Sequence, residues 1–336
     1  MSFALRRWRA PRPSSMAVFA VLALLIAACS DSDGATASPA PTNAATEAAT
    51  AVSTDTPEPT PTESAPPLVV ADSDGFELEL SEPATRIVSF SPGATEILFA
   101  IGAGDQVVAA DEFSNYPAAA ADLERVSYSA PDPEQVLAFD PDLVILATQQ
   151  QQSVEQLRGL GLTVLFNQAP ESVDGVLENI VLLGRVAGRD DEAAVLVADM
   201  RQRLEAIEAT IAQVEVGPSV FYELDPTLFT IAPNTFIGGY LSLLRASNVA
   251  DGAESAFPQL TAEALIAANP EVVLLADAAF GGDPESVALR PGWDAIDAVA
   301  NGRLYPVDPD ISSRPGPRIV EAIERIALLL YPELFE

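Results

Sequence analysis

The stretch TAEALIAANPEVVLL at residues 261–275 repeats the pattern of DPEQVLAFDPDLVIL at residues 132–146. Each begins with a residue that can cap a helix and places a glutamate, Glu134 or Glu263, in the first helical turn. Each then reaches a proline, where the helix ends, and passes directly into an apolar run typical of a buried strand. The helix dipole favours either glutamate by itself. A whole helix–proline–strand phrase that recurs predicts, in addition, two halves of similar build.

Short apolar strands alternate with helices around both copies. RIVSF at residues 86–90 predicts a strand, and the helix that follows has a capping Ser91 and a Pro92 suited to its first turn. Between residues 172 and 216, in contrast, two helical segments follow each other without a strand. We therefore expect an α/β fold in which two similar α/β lobes, with mostly parallel central sheets, are joined by a single long backbone helix.

The same patterns divide the chain into five segments. These are a lipoprotein signal peptide at 1–28, a lipidated cysteine and disordered tether at 29–67, an N-terminal α/β lobe at 68–187, the interlobe backbone helix at 188–216 and a C-terminal α/β lobe at 217–336.

The first segment has the features of an export signal. Four arginines precede an uncharged run at residues 16–28, which is too short to cross a bilayer and ends in Ala27-Ala28-Cys29. That ending resembles a bacterial lipoprotein cleavage box, which implies lipid on Cys29 and an extracytoplasmic protein anchored to the cell membrane. Cys29 is the only cysteine, so disulfide bonds and thiol catalysis elsewhere are excluded. The Ala-, Thr- and Pro-rich segment that follows cannot offset its ordering entropy and is expected to be a tether.

The charge and the lack of histidine exclude further classes of function. The sequence has 17 basic residues against 49 acidic ones and no histidine, and its net charge is −32. A nucleic-acid partner is therefore not expected, because such binding rests on clustered Lys and Arg. Catalysis or metal binding through histidine is excluded as well.

Several separated phrases resemble a known family. RIVSFSPGATEILFAIGAGDQVVA, DPEQVLAFDPDLVIL, TAEALIAANPEVVLLAD, AVANGRLYPVD and PGPR are similar to segments of the substrate-binding proteins of ABC importers for cobalamin, iron-siderophores and haem, over residues 86–332. The resemblance implies a monomeric binding protein, not an enzyme, with a small-molecule ligand in the cleft between its lobes. It also implies that Glu134 and Glu263 dock, one per lobe, into arginine-lined pockets of a permease dimer that works with an ATPase.

Within that family the cobalamin-binding members are the most similar, through VSYSAPDPE, AFPQLTAEAL and DISSRPGPR. The ligand is then cobalamin or another metal-containing chelate, and no resident cofactor or metal site is expected. Apolar side chains would cover the faces of a corrin ring, and a few polar groups would meet its amides. The ligand-binding positions implied are Phe113, Tyr128, Phe229, Phe257, Asp310 and Arg314. Ala147 and Thr148 stand where the family has an aromatic residue, which leaves room for a different ligand.

Other interpretations of these residues remain open. The three phenylalanines are equally well explained as packed loop anchors, and Asp310 and Arg314 as partners of each other. Trp293 is expected in the core. An anionic siderophore would need Arg314 together with Arg290 or Arg245, and haem would have only tyrosine as a ligand.

Two functions from other classes are also compatible with the sequence. Glu223 and Asp225 could serve a carboxylate-based hydrolase, although no nucleophile–base pair accompanies them. A ligand receptor for a membrane kinase would share the fold of a transport protein.

Overall fold

The structure is a computed structural model that describes residues 67–335. It is built around two parallel β-sheets. The predictions for the signal peptide, for Cys29 and for most of the tether concern residues outside this range. A hairpin of β1 and β2 precedes the first sheet, and its antiparallel pairing was not anticipated from the sequence. The strands of this half are β1 Leu68–Ala71, β2 Glu77–Leu80, β3 Ile87–Ser89, β4 Val107–Asp111, β5 Glu124–Val126, β6 Leu143–Leu146 and β7 Val164–Phe166.

The first sheet is entirely parallel, in the order β5-β4-β3-β6-β7. Its helices are α1 Pro92–Ala100, α2 Pro133–Ala138, α3 Val154–Gly159 and α4 Val173–Val186. Serine side chains begin two of them as expected, because Ala94 N donates to Ser91 Oγ (3.2 Å) and Gly175 N donates to Ser172 Oγ (3.1 Å). We call this half, β1 to α4, the N-terminal lobe.

The long helix α5, Asp190–Thr210, lies between the two sheets in the chain. The prediction that the backbone helix extends to residue 216 was wrong, because the helix ends six residues earlier. Ile211 closes the helix with its side chain buried in the core. The Thr210 hydroxyl donates to Ala206 O. The chain then needs residues 211–218 to turn into the next strand, so the apolar periodicity beyond Ile211 does not continue as helix.

The second sheet repeats the order of the first. Its strands are β8 Ser219–Glu223, β9 Ser247–Asn248, β10 Val272–Leu275 and β11 Leu304–Pro306, and they pair in parallel in the order β11-β10-β8-β9. Thus β9, β8, β10 and β11 occupy the places of β4, β3, β6 and β7. The helices of this C-terminal lobe are α6 Phe236–Leu243, α7 Ala262–Ala268, α8 Pro284–Ala288, α9 Asp297–Ala300, α10 Pro309–Ser312 and α11 Ile319–Leu330. The predicted α/β class with parallel sheets is confirmed.

The repeated phrase performs the same structural task in both lobes. It carries the chain from α2 to β6 and from α7 to β10 through a left-handed residue, Asp140 (φ 47°) or Asn269 (φ 45°), directly before the proline. Both residue types tolerate this conformation. The acid after the proline then fixes the neighbouring strand. Thr85 N donates to Asp142 Oδ2 (2.8 Å), and Ser219 N donates to Glu271 Oε2 (2.9 Å).

A single apolar cluster contains residues of both lobes and of α5, and two smaller clusters belong to one sheet each. Trp293, expected in the core, is buried against Phe221 in the smaller cluster of the C-terminal lobe. Among residues 67–335, no helix is both long enough and apolar enough to span a bilayer.

Candidate ligand-binding cleft

A cavity of about 510 Å³ opens between the two lobes. It lies near the carboxyl ends of parallel strands, since Ala147 follows β6 and Leu224 follows β8, and this is where α/β sheets commonly bind ligands. The N-terminal lobe contributes Ser91, Pro92, Gly93, Tyr128, Ala147, Gln149, Ala169 and Pro170. The C-terminal lobe contributes Leu224, Thr235, Phe236, Ile237, Phe257, Pro309, Ser313, Arg314 and Pro315.

Three of the six predicted ligand contacts line this cavity: Tyr128, Phe257 and Arg314. Tyr128 comes from the N-terminal lobe, and its backbone N donates to Glu112 Oε2 (2.6 Å). Burial, and then the charge on Asp111, raises the pKa of the Tyr128 phenol, which therefore remains a neutral hydrogen-bond donor. Phe257, from the C-terminal lobe, exposes 53% of its surface. An aromatic face from each lobe is thus available to a flat ligand.

Phe113 and Asp310 lie one contact away from the cavity. The Phe113 ring packs edge-on against Tyr128 with its centroid 5.3 Å away, so it buttresses an aromatic residue of the wall. The Asp310 carboxylate accepts from Arg314 Nη2 (3.0 Å) and from Asn115 Nδ2 (2.9 Å). The alternative in which Asp310 and Arg314 pair with each other therefore describes this structure.

Phe229 is not brought to the cavity. It lies in a loop whose backbone pairs with the segment that carries Phe257, through an isolated bridge between Phe229 and Gln259 and a hydrogen bond from Thr230 N to Pro258 O (3.0 Å). Its backbone joins the two loops, but its side chain is 36% exposed. Neither a contact with the cavity nor a packed loop anchor describes Phe229 in this structure.

Arg314 is held by four protein acceptors. Its Nη1 donates to Glu96 Oε1 (2.7 Å) and to Asn115 Oδ1 (3.0 Å). Its Nη2 donates to Phe113 O (3.2 Å) as well as to Asp310. Glu96, Asn115 and Phe113 belong to the N-terminal lobe, so Arg314 joins the two lobes at the wall of the cavity.

Glu96 and Arg318 complete this connection, and sequence reasoning missed both. The Glu96 side chain in α1 is only 2% exposed, and it accepts from Arg318 Nε (3.0 Å) and Nη2 (2.6 Å) in addition to Arg314. The hydrogen bonds from Arg318 to Glu96 raise the pKa of the Arg318 guanidinium above its ordinary value. A lone acid within the apolar helix ATEILFA was the available signal, because such residues are buried only when they are paired. We call Glu96, Asn115, Asp310, Arg314 and Arg318 the interlobe ion network.

A close backbone approach accompanies the network. A Cβ atom on Gly93 would lie 2.6 Å from Pro315 O, so only glycine allows α1 to pack against the loop that carries Arg314. The phrases SPGATE and SRPGPR, singled out in the sequence, are therefore the two sides of one joint.

The other predicted positions are placed as follows. Glu134 and Glu263 are exposed at the second position of α2 and α7, the two equivalent helices. Arg290 donates both terminal nitrogens to the buried Glu223 (2.6 Å each), and Arg245 donates to Val214 O. Neither arginine lines the cleft. Asp225 accepts from Thr227 N (2.7 Å) in a local turn, so the acids weighed for a hydrolase are engaged in separate contacts.

Comparison with known proteins identifies the family. The family model described as periplasmic binding protein matches residues 87–311. The uncharacterized ABC transporter substrate-binding lipoprotein YvrC of Bacillus subtilis is 32% identical over 80% of this chain and 87% of its own length. The crystal structure of the vitamin B12-binding protein BtuF of Vibrio cholerae superposes with a TM-score of 0.65 at 28% identity, covering 74% of this chain and 98% of that one. A periplasmic haem-binding protein from Pseudomonas aeruginosa gives a TM-score of 0.65 at 27% identity, covering 74% and 94%.

The chain thus belongs to the periplasmic binding protein family, as a substrate-binding protein of an ABC transporter in the group that serves vitamin B12, iron-siderophores and haem. Membership implies a small-molecule ligand and a permease with its ATPase. The relatives are transport proteins and not enzymes.

Proposed function

We propose that this protein binds cobalamin or a related corrinoid in the interlobe cleft and delivers it to the permease. The observation that carries the proposal is the cavity between the lobes, which has an aromatic side chain from each lobe and a few polar groups among its lining residues. Support comes from relatives named vitamin B12-binding proteins, one of which, from Vibrio cholerae, is 30% identical over 74% of this chain.

Titration calorimetry tests the ligand directly. Protein lacking the signal peptide is titrated with cyanocobalamin, and saturable binding is expected. Phe257→Ala is expected to weaken binding, because truncating a buried aromatic contact costs at least about tenfold in affinity. Phe76→Ala is the matched control, since Phe76 is similarly exposed but lies in the turn that joins β1 to β2, away from the cavity. Absence of heat with protein that circular dichroism shows to be folded would remove cobalamin as the ligand.

A haem or ferric siderophore is the second candidate. It is favoured by the similarity to the haem-binding protein of Pseudomonas aeruginosa and by Tyr128 at the cavity, the residue type that haem would require here. Visible absorbance of protein purified from its native cells distinguishes a corrinoid from haem and from a ferric chelate.

Glu134 and Glu263 are proposed to dock the two lobes onto the permease dimer. Both carboxylates are exposed on equivalent helices, and charge complementarity at such positions sets register and speeds association. E134A/E263A is expected to abolish ligand uptake by cells while ligand affinity stays intact. The control is E155A/E285A, because Glu155 and Glu285 also occupy the second position of short helices, one in each lobe, and removing them changes net charge equally. Equal loss of uptake in both double variants would contradict specific docking.

Anchoring through lipid on Cys29 is likewise proposed, with residues 29–67 as the tether. Support comes from the sequence and from the lipoprotein name of the Bacillus subtilis relative. Cys29→Ser is expected to move the protein from the membrane fraction to the soluble fraction. Unchanged membrane association of the variant would contradict the assignment.

A further inference from the structure

The cleft is almost free of charge. Among the described residues 67–335, Arg314 is the only residue lining the cleft whose side chain is charged at neutral pH. The remaining walls consist of apolar side chains, prolines, small residues and neutral polar groups such as Gln149 and Thr235.

The charge of Arg314 is itself neutralised within the protein. Glu96 and Asp310 provide two carboxylates, and Arg314 and Arg318 provide two guanidinium groups, so the interlobe ion network has no net charge. Glu96 is buried, which keeps its charge effective at short range, because buried pairs are screened little by salt.

The geometry of Arg314 restricts what it can offer a ligand. Its four terminal N–H groups point at Glu96, Asn115, Phe113 O and Asp310. Arginine recognises carboxylates best through two parallel hydrogen bonds from such groups. An anionic ligand group would have to displace a protein carboxylate to obtain them, and the displaced carboxylate would then lack its partner.

Arg290 and Arg245, the other arginines weighed for an anionic ligand, give no compensation. Arg290 is paired with Glu223 and Arg245 with a backbone carbonyl, both outside the cleft. The protein as a whole is strongly acidic, with a net charge of −32, and disfavours the approach of anions further.

We propose that the cleft selects by charge: it accepts chelates that present uncharged groups, for example primary amides, to its walls, and it discriminates against chelates that present carboxylates or catecholates there. This inference rests on the proposed function of the cleft as the ligand site and adds the chemical class of the ligand. Each anionic group forced against the neutral wall is expected to reduce affinity at least about ten- to a hundredfold, because a buried neutral polar group without a partner already costs about that much and a charged group costs more.

A matched pair of corrinoids tests the proposal. Cyanocobalamin is compared, by calorimetry at constant pH and salt, with a polycarboxylate derivative in which several peripheral amides are hydrolysed, since ring and size are nearly unchanged. The derivative is expected to bind at least tenfold more weakly. Equal or tighter binding of the derivative would overturn the proposal.

Asp310→Asn supplies a second readout. The substitution keeps the shape of the side chain but leaves the network with one uncompensated positive charge beside the cavity. The ratio of the two affinities is therefore expected to shift several-fold toward the carboxylate derivative. Glu155→Gln removes an acid that is 89% exposed on α3 and serves as the control, with no shift in the ratio. An unchanged ratio in D310N would contradict the role assigned to the network.

Failure of the proposed function gives a different result. If neither corrinoid binds to the folded protein, cobalamin is not the ligand, and the charge rule is then tested with an uncharged ferric trihydroxamate and an anionic ferric tris-catecholate. Tighter binding of the anionic chelate would overturn the charge rule, and preference for the uncharged one would support it.

Discussion

Replacement of Glu96 by Gln tests the interlobe ion network at its centre. The Glu96 carboxylate accepts from two guanidinium groups, Arg314 at 2.7 Å and Arg318 at 2.6 and 3.0 Å, and all three side chains are at most 18% exposed. Glutamine preserves the shape and one oxygen acceptor. It places an NH2 donor against a guanidinium donor and removes the negative charge between two positive ones.

The magnitude follows from burial. Two unit charges about 4 Å apart interact by about 4 kcal/mol at an effective dielectric constant of about 20. Breaking a buried ion pair by removing one partner costs about 3–5 kcal/mol, because the other charge stays buried. We therefore expect E96Q to lower the free energy of unfolding by about 3–5 kcal/mol, which for a chain of this size is about 6–10 °C in Tm at about 2 °C per kcal/mol.

Differential scanning calorimetry of protein without bound ligand measures the effect. Glu324→Gln is the matched control. Glu324 also accepts two hydrogen bonds from one arginine on another helix, Arg203 (2.8 and 2.7 Å), but the two side chains are 39% and 37% exposed. An exposed pair contributes about 0–1 kcal/mol. If E96Q lowers Tm no more than E324Q does, the network does not hold the lobes as described.

Three further predictions concern packing, pH and salt. Gly93→Ala is expected to destabilise the protein by about 1–3 kcal/mol, because the new Cβ would lie 2.6 Å from Pro315 O. Gly159→Ala is the control and should cause no such loss, because a Cβ there meets no atom within 4 Å. Urea unfolding measures the stability of both variants. Asp277→Asn is expected to stabilise the protein near neutral pH by about 1–3 kcal/mol, because it replaces a buried carboxylate that has no hydrogen-bond donor among residues 67–335 by a neutral amide that can donate to the neighbouring Glu223 carboxylate. Burial above all, and the neighbouring Asp277 in addition, raises the pKa of Glu223 above its ordinary 4.5. The folded protein therefore binds this proton more tightly than the unfolded chain does. The resulting contribution to stability is present in acid and is lost as pH rises through the raised pKa. The Asn variant should therefore show a smaller fall in Tm as pH rises above about 4.5, and an identical fall would refute this account. Finally, Tm should rise when sodium chloride is increased from about 0.01 M to about 0.1 M. The negative charges of a chain with net charge −32 repel one another, and salt screens this repulsion as the Debye length shortens from about 30 to about 10 Å. A constant Tm would contradict this explanation.

The repeated phrase at residues 132–146 and 261–275 made the fold predictable because its parts have local causes. A cap, a residue before proline and an apolar strand are each determined by near neighbours in the chain. The hairpin of β1 and β2 was missed although it is local, since Leu68 pairs with Leu80 and the Asp72 side chain accepts from Asp74 N and Phe76 N in the turn between them. The end of α5 at Thr210 was missed because no glycine or proline stands there and the first such residue is Gly217. Ile211 keeps the apolar periodicity and is buried in the core, but it is the residue at which the helical backbone ends.

The cleft was predictable in part for a related reason. Family resemblance places Tyr128, Phe257 and Arg314 in loops at the cavity, and the structure brings all three there. The resemblance also places Phe229 in a ligand-binding loop, but Phe229 does not line the cavity. The local sequence gives no sign of this difference. The partners of Arg314 were also beyond sequence reasoning, because Glu96 is 218 residues away.

That separation bears on how the protein matures. Glu96 is synthesised long before Arg314 and Arg318, which follow it by 218 and 222 residues. The Glu96 carboxylate on α1 therefore has neither guanidinium partner until the segment between α10 and α11 has been made, and the closing of so large a loop makes this one of the most non-local contacts of the fold. A chain cut short before residue 314 would contain every strand of both sheets, yet it would lack the interlobe ion network and α11, whose buried residues belong to the apolar cluster shared by the two lobes. The contacts between the lobes are thus completed only by the last part of the chain that the structure describes.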